Sequence, residues 1–516
     1  MYDLIIQNGC IVDGTGEAGF IADIAIKDGK IAKIGRNFSG AKKMIDATGL
    51  TVTPGFIDSH SHSDSAIFTF PDQAEKIEQG ITTSIGGQCG TTAAPFGPDT
   101  PDTQLGEFGM ASTVCKTMGS FLDTAKNLEI GSNLAIFVGH RALRRAVMGT
   151  TDRAPTQEEL EQMADLLREG IAHGALGVSF GLIYPPSCYA KTDELIYLAK
   201  VAAECGGMLS AHIRDEGDKL IEAAEEYLTV IKAAKTRAVF SHMKAAAGSQ
   251  NWGKVNTVLK MIDEANAEGC DIYCDVYPYT ASHTGLSSRI IPKELCAGGN
   301  LALAQKLADP EVRKYVREEY AKKPGDTSDF SWILVVSCPA HPEYIGLRLD
   351  EIARRHGKDP LETACDLIMD TKNSCSACYF TMCEEDVETV LAHPRAMICT
   401  DASVRRNATA YHPRLRGSFP RVLGRYVRER NVTSLPEMIR KMTSLPAAVY
   451  GLTGKGLLKE GFDADICIFN ADTILDHADY GDFHRRAEGL NFVLLNGEVV
   501  AENAVHNGLR KGKVLV

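Results

Sequence analysis

Residues 54–64 read PGFIDSHSHSD. A short apolar run, opened by proline and glycine, ends in two histidines one residue apart, His60 and His62, and then breaks into a polar, turn-like segment. Side chains on an extended strand alternate with a period of two, so both imidazoles point the same way and can share one metal. Taken singly, a histidine at a strand end is more often a hydrogen-bonded structural residue than a ligand. The reading of the pair therefore depends on what the rest of the chain brings to it.

The run is the first of a series. Similar apolar runs recur at TVTPGFID, ITTSIGG, LAIFVG, GVSFGL, MLSAHI, AVFSHM, IYCDVYPY and AMICTD, separated by helix-like segments. One such segment, TQEELEQMADLLREGIAHG, opens on Thr156 with Glu159 three residues on, the pattern of a capping box. Apolar runs alternating with helices are the signature of βα units around a parallel sheet, and eight such units close a (β/α)8 TIM barrel, an α/β fold. This barrel is expected over residues 54–454. On either side the rhythm changes to short strands punctuated by Asn-Gly, Asp-Gly and Thr-Gly turns, so residues 1–53 and 455–516 are expected to pair as one small β-sandwich domain built from both termini. The interval between Tyr279 and Ala396 is too long for a single loop. An insertion at about 284–345, lying over the catalytic face of the barrel, is expected there.

Composition bounds the partners. Hydrophobic residues make up 44% and charged residues 24% of the 516, an ordinary globular balance. The formal charge of −12 disfavours nucleic acid and anionic membrane surfaces. The N-terminus MYDLIIQNGCIVDG lacks the basic leader of a signal peptide, and no later run is long enough to span a bilayer. Fifteen cysteines without pairing intervals read as reduced thiols of a cytoplasmic protein. The arginine-dense HPRLRGSFPRVLGRYVRERN reads as a solvated helix face with a functional arginine at its start, and CSAC at 375–378 as structural, because no second cysteine pair follows at a suitable interval.

In a TIM barrel the active site lies at the C-terminal ends of the strands. Here those ends carry His60 and His62, Cys89, His212, His242 and Asp401. Imidazole, thiolate and carboxylate together suit zinc, and six donors exceed one tetrahedral site. Two adjacent sites sharing Cys89 would use them all. His140 also ends a run and is left out, because the six already fill two sites. Asp401 is placed to accept and return a proton.

PGFIDSHSHSD, SAHIRDE, FSHMK and EGFDADICIFN together resemble the amidohydrolase superfamily. Within it, GALGVSFGLIYPPSCYAKTDEL, DVYPYTA and HPRLRGSFPRVLGRYVRE are similar to the N-acyl-D-amino-acid deacylases, or D-aminoacylases. The resemblance implies a metal-dependent amidohydrolase acting on linear amides, which hydrolyses an N-acyl-D-amino acid to a carboxylate and a free D-amino acid. It implies that Cys89, His212 and His242 hold a tight zinc, with Cys89 in place of the superfamily's carbamylated lysine. His60 and His62 then serve an outer, looser metal, and Asp401 is the catalytic aspartate that also touches it. Tyr184, Lys244, Tyr277 and Arg414 fall on substrate-binding positions. The chain departs from the pattern in TDASVRRNATAYHPR, where Ala402 follows the aspartate in place of glycine and two residues are added, and in His283, where relatives carry a small hydroxyl residue. A cyclic amidase of hydantoinase or dihydroorotase type is the alternative; Cys89 and the HPR motif speak against it. A catalytically inactive scaffold is disfavoured by the complete ligand set.

Overall fold

Strands buried on both faces read as continuous apolar runs, and the runs of the middle region form such strands. The computed structural model describes residues 1–96, 115–323 and 329–515. Its barrel strands are β1 (Phe56–Asp58), β2 (Ile81–Gly86), β3 (Asn133–Ile136, continued by Val138–Gly139), β4 (Gly177–Gly181), β5 (Met208–His212), β6 (Ala238–Phe240), β7 (Ile272–Val276) and β8 (Ala396–Ile398). Each pairs in parallel with the next, β7 with β8 across the intervening chain. The strand β3 breaks at Phe137, so its first half pairs with β2 and its second with β4. Closure comes from Ser59, whose backbone N–H and Oγ both donate to Ile398 O, at 3.2 and 2.8 Å. The helix Gln157–Ala172 starts at the expected capping box: Glu159 N–H donates to Thr156 Oγ1 at 3.2 Å and Thr156 N–H to Glu159 Oε2 at 2.8 Å.

The run TVTPGFID is not one strand. Thr51–Pro54 belongs to the terminal sheet, and only Phe56–Asp58 enters the barrel. The division falls at Gly55, where a Cβ would stand 2.3 Å from Thr82 Oγ1, so no larger residue lets the chain pass between the two sheets. The terminal strands hydrogen-bond into one nine-stranded sheet in which Thr51–Pro54 joins the N-terminal strands to Ile466–Phe469 and Leu490–Leu495. That sheet has its own apolar cluster, including Ile6, Ile24, Val52, Ile466 and Leu494.

Between β7 and β8 stands a third sheet. Ser282–Gly285 and Ile333–Ser337 flank Ser376–Tyr379 in antiparallel pairing. The helices Leu349–His356 and Pro360–Asp370 pack with Gly299–Lys306 and Pro310–Ala321 over this sheet, in a cluster that includes Leu286, Leu303, Val316, Ile352 and Ile368. The inserted unit thus runs from 282 to 379, longer than the 284–345 expected, because the second helix pair shares the core of the first; residues 324–328 of the expected segment lie outside the described residues. Its first strand begins six residues after β7 ends.

One buried ion pair holds the first and last barrel strands in register beneath the site. Lys76 Nζ lies 2.7 Å from Asp58 Oδ2 and donates to Thr400 Oγ1 at 2.7 Å, while Asp58 Oδ1 accepts from Thr400 N–H at 2.8 Å. Lys76 and Asp58 are both fully buried. Lys76→Met leaves Asp58 charged and unpaired, and we expect it to cost about 3–5 kcal/mol of stability. A denaturant titration in which the variant matches the parent would show that the pair does not hold this junction.

Candidate metal centre and active site

Each barrel strand that carries a candidate ligand delivers it at or just beyond its C-terminal end. His60 and His62 follow β1, Cys89 follows β2 by three residues, His212 closes β5, His242 follows β6 by two, and Asp401 follows β8 by three. Three of these residues have left-handed backbone: Cys89 at φ 53°, His242 at 35° and Asp401 at 47°. Such strain in non-glycine residues persists only where the surroundings enforce it, and it clusters at functional sites. At Cys89 the enforcing contact is visible. A Cβ at Gly181 would lie 1.9 Å from Cys89 O, so β4 must present bare backbone for the loop carrying the thiol to pack down on it.

The Cys89 sulfur is the hub. Its Sγ lies 3.3 Å from His60 Nε2, 3.2 Å from His242 Nε2 and 3.6 Å from His212 Nδ1. Donors about 2.3 Å (sulfur) and 2.0–2.1 Å (nitrogen) from a tetrahedral zinc stand about 3.5 Å apart, so these separations fit a shared ion. Asp401 Oδ1 approaches the same nitrogen of His60, 3.6 Å from its Nε2, and lies 3.1 Å from His62 Nε2. His60, Cys89, His242 and Asp401 form one compact group of possible ligands, all buried. Burial, with the neighbouring His242, holds His60 well below its ordinary pKa; burial likewise depresses His212 despite the opposing field of Glu216. Both rings are therefore neutral, the form that ligates a metal. Burial, with Asp401 adding to it, pushes the Cys89 thiol well up, so a thiolate at this position calls for a cation beside it.

Glu216, absent from the expected set, organises the back of this cluster. It is buried, and its oxygens face the ring nitrogens that point away from Cys89: Oε1 lies 3.0 Å from His242 Nδ1 and Oε2 3.4 Å from His212 Nε2. Although His212, Glu216 and His242 also form a possible metal group, this orientation suits Glu216 to be the outer partner of two candidate ligands. Burial opposes its ionisation, but His212, Lys244 and His242 together hold it well below the usual carboxylate range. Lys244 Nζ lies 2.5 Å from Glu216 Oε1 and 2.6 Å from His242 Nδ1. Asp275 does similar work beneath, accepting from His242 N–H at 2.6 Å and lying 3.6 Å from His60 Nδ1. The signal for Glu216 is its place four residues after His212 in AHIRDE, where it looks like an ordinary charge at a helix start. Glu216→Gln is expected to weaken zinc binding about 10–100-fold, read by competition with a chromophoric chelator; unchanged affinity would remove Glu216 from this role.

Asp401 is bound from the opposite side by Arg414, whose Nη1 donates to Oδ2 at 2.7 Å. Burial raises the pKa of Asp401, but Arg414, His242, His62 and His60 outweigh it and keep the carboxyl well below its ordinary range. Arg414 begins the helix Arg414–Arg421, so within the arginine-dense stretch it is the first helical arginine that enters the site. His412 fixes the turn before it, with Nε2 2.8 Å from Ala281 O and Nδ1 accepting from Arg414 N–H at 3.1 Å. The ring of Tyr277 lies under two cations, 5.4 Å from Lys244 Nζ and 4.8 Å from the Arg414 guanidinium, while its hydroxyl donates to Met382 Sδ at 3.7 Å. Tyr184 stands edge-on to His212 at 5.2 Å and accepts a hydrogen bond from Thr284 Oγ1 at 3.4 Å; burial pushes its phenol up, so it stays protonated.

These groups line a cavity of about 160 Å³, in which His62, His212, His242 and Asp401 meet Tyr184, Lys244, Tyr277 and Arg414. The structure thus brings together all ten residues singled out from the sequence. Into the same cavity the inserted unit sends Ser282, His283 and Thr284. His283 is held by Ser376 Oγ at 3.2 Å and lies edge-on to Tyr411 at 4.8 Å. His140 is engaged elsewhere, with Nε2 2.9 Å from Glu194 Oε1 and Nδ1 2.5 Å from Ser187 Oγ. Of the CSAC cysteines, Cys378 lies on the inserted sheet and Cys375 just before its strand, and all fifteen cysteines are free thiols. Among the described residues, no helix is long and apolar enough to cross a membrane.

Comparison with known proteins agrees with this geometry. The model of the amidohydrolase family matches residues 43–306 and 369–501. The chain is 34% identical to a D-aminoacylase of Alcaligenes xylosoxydans xylosoxydans over 100% of its own length and 97% of the relative's. It is 35% identical to an N-acyl-D-glutamate deacylase of the same organism, covering 99% and 96% of the two chains. Among solved structures, the N-acyl-D-glutamate deacylase of Bordetella bronchiseptica, complexed with zinc and a phosphonate inhibitor that mimics the tetrahedral intermediate, superposes with a TM-score of 0.85 at 34% identity, covering 100% and 99%. A barrel that carries its histidines, cysteine and aspartate at the C-terminal strand ends, matched in this way over its whole length, belongs to the amidohydrolase family.

Proposed function

We propose that this chain is a zinc-dependent N-acyl-D-amino-acid deacylase. The observation that carries the reading is the placing of Asp401: one oxygen faces His60 and His62 beside the Cys89 hub, and the other is held by Arg414 in a cavity that also contains Lys244. Cys89, His212 and His242 would hold one zinc tightly, and His60, His62 and Asp401 a second, looser one. Zinc bound there supplies a Lewis acid for the amide carbonyl and lowers the pKa of bound water. Asp401 Oδ1 takes the proton from the attacking water and returns it to the leaving nitrogen, so the C–N bond breaks to a carboxylate and a free amine. Tyr184, kept protonated by burial, offers an O–H to the developing oxyanion. Arg414, whose Nε is buried without a partner, and Lys244 provide charge for the α-carboxylate, and Tyr277 holds the two cations in place through its ring face. Glu216 and Asp275 keep the imidazoles oriented.

The substrate is a small N-acyl-D-amino acid, with no nucleic-acid or membrane partner, which the acidic balance of the chain supports. The free thiols support a reducing compartment, the cytoplasm. The test is a comparison of kcat/KM for N-acetyl-D-amino acids, their L enantiomers, hydantoin and dihydroorotate. Turnover confined to the D-acyl compounds is expected; ring opening without deacylation would replace this reading by a cyclic amidase.

A further inference from the structure

His140 stands at the C-terminal end of β3, where the other strands carry their metal candidates, yet both of its ring nitrogens are engaged elsewhere. Nε2–H donates to Glu194 Oε1 at 2.9 Å, which leaves Nδ1 to accept from the Ser187 hydroxyl at 2.5 Å. Glu194 is held in turn by Arg144 Nη1, 2.7 Å from Oε1 and 2.5 Å from Oε2. All four residues are buried, and burial keeps the His140 ring below its ordinary pKa, so it remains neutral. Ser187 follows Tyr184 by three residues on the loop beyond β4. Arg141 grips that loop too: its Nε donates to Pro185 O at 2.8 Å, and the guanidinium lies 5.9 Å from the Tyr184 ring. From the same position Arg141 reaches the loop of the thiol, donating from Nη1 to Thr91 Oγ1 at 3.3 Å. The backbone repeats the contact, since Ala142 N–H donates to Gly90 O at 3.2 Å and a Cβ at Gly139 would stand 2.3 Å from that oxygen. The end of β3 therefore packs against the loop that carries Tyr184 and the loop that carries Cys89.

Tyr184 needs such a hold. It lies three residues beyond the end of β4, outside the sheet ladder, and its hydroxyl meets Thr284 Oγ1 at 3.4 Å, a long contact for two oxygens. The place of the ring thus depends on where the backbone of its loop is fixed. A donor to a developing oxyanion works at about 2.7–3.1 Å from the charge, and a misplacement of about 1 Å costs about 10²-fold in rate. We propose that His140 and Arg141 are positioning residues that set Tyr184 against the Cys89 hub. His140 acts through the Ser187 hydroxyl, and Arg141 through Pro185 O on one side and Thr91 on the other. The inference rests on the oxyanion role given to Tyr184 in the deacylase reading and adds the residues that make that role possible.

The experiment is a double-mutant cycle on the full chain, with kcat and KM for one N-acetyl-D-amino acid measured beside zinc content and Tm. Ser187→Ala removes the hydroxyl that His140 holds, and Arg141→Met removes the grip on Pro185 O. Each is expected to lower kcat at least about tenfold, with KM and zinc content little changed. Tyr184→Phe is expected to lower kcat about 10²–10³-fold. In that background neither Ser187→Ala nor Arg141→Met should lower kcat further by more than about twofold, because the group they position is gone. A merely structural contact would lower kcat by the same factor in both backgrounds. That result, or parental kcat in either single variant, would overturn the proposal and leave the deacylase reading intact. Should one of the two variants fail to fold, the other, which acts on a different atom of the loop, decides the cycle. Parental kcat in Tyr184→Phe would remove the oxyanion role and this inference with it, and failure of the wild-type protein to hydrolyse N-acetyl-D-amino acids would overturn the deacylase reading itself.

Discussion

Asp401→Asn is expected to lower kcat by about 10²–10⁴-fold while the protein retains the zinc held by Cys89, His212 and His242. The side chain keeps its shape and an oxygen for Arg414, which donates to Asp401 at 2.7 Å, but loses the charge that accepts a proton. Asp401→Ala removes the partner as well and leaves Arg414 buried and unpaired, which costs about 3–5 kcal/mol, so the alanine variant should be both inactive and less stable. Steady-state kinetics with metal analysis separate the two effects. An asparagine variant that retains a tenth or more of parental kcat would remove Asp401 from the proton-transfer role, and one that loses all its zinc would place Asp401 among the tight ligands.

Cys89→Ala should have the other large effect, because it removes the atom common to three imidazoles. His60, His212 and His242 each approach Cys89 Sγ within 3.6 Å, so without the sulfur no single donor joins the two halves of the cluster. Zinc content should fall below one ion per chain, and activity should fall with it. A chelator should lower the Tm of the wild-type protein, as expected for an ion that binds only the folded chain, and should shift the variant far less. Equal chelator shifts in the two proteins would show that the thiol is a packed core group and that the histidines bind metal without it.

Much of this centre was legible in the order of residues. A period of two after an apolar run marked His60 and His62, and the end of each later run marked Cys89, His212, His242 and Asp401. What escaped the sequence had ordinary local surroundings. Glu216 lies in IRDEGDK among other charges, and only the packing of β5 beside β6 turns its carboxylate toward two imidazoles. Lys76 and Asp58, 18 residues apart, look like surface charges until Thr400 arrives from the last strand to bury them. The inserted unit was underestimated because Leu349–His356 and Pro360–Asp370 have the same amphipathic pattern as barrel helices, and periodicity does not say which core a helix faces.

By itself, then, the sequence determined the class of fold and the kinds of donor, since strand period, capping and ligand chemistry are properties of neighbouring residues. Tertiary structure decided which candidate donors lie within reach of one ion, which carboxylate faces them and which backs the imidazoles, and which arginine enters the site. Those distinctions are separations of a few ångströms between groups as distant in sequence as His60 and Asp401, which follow the first and last strands of the barrel. Only closure of the barrel brings them within reach.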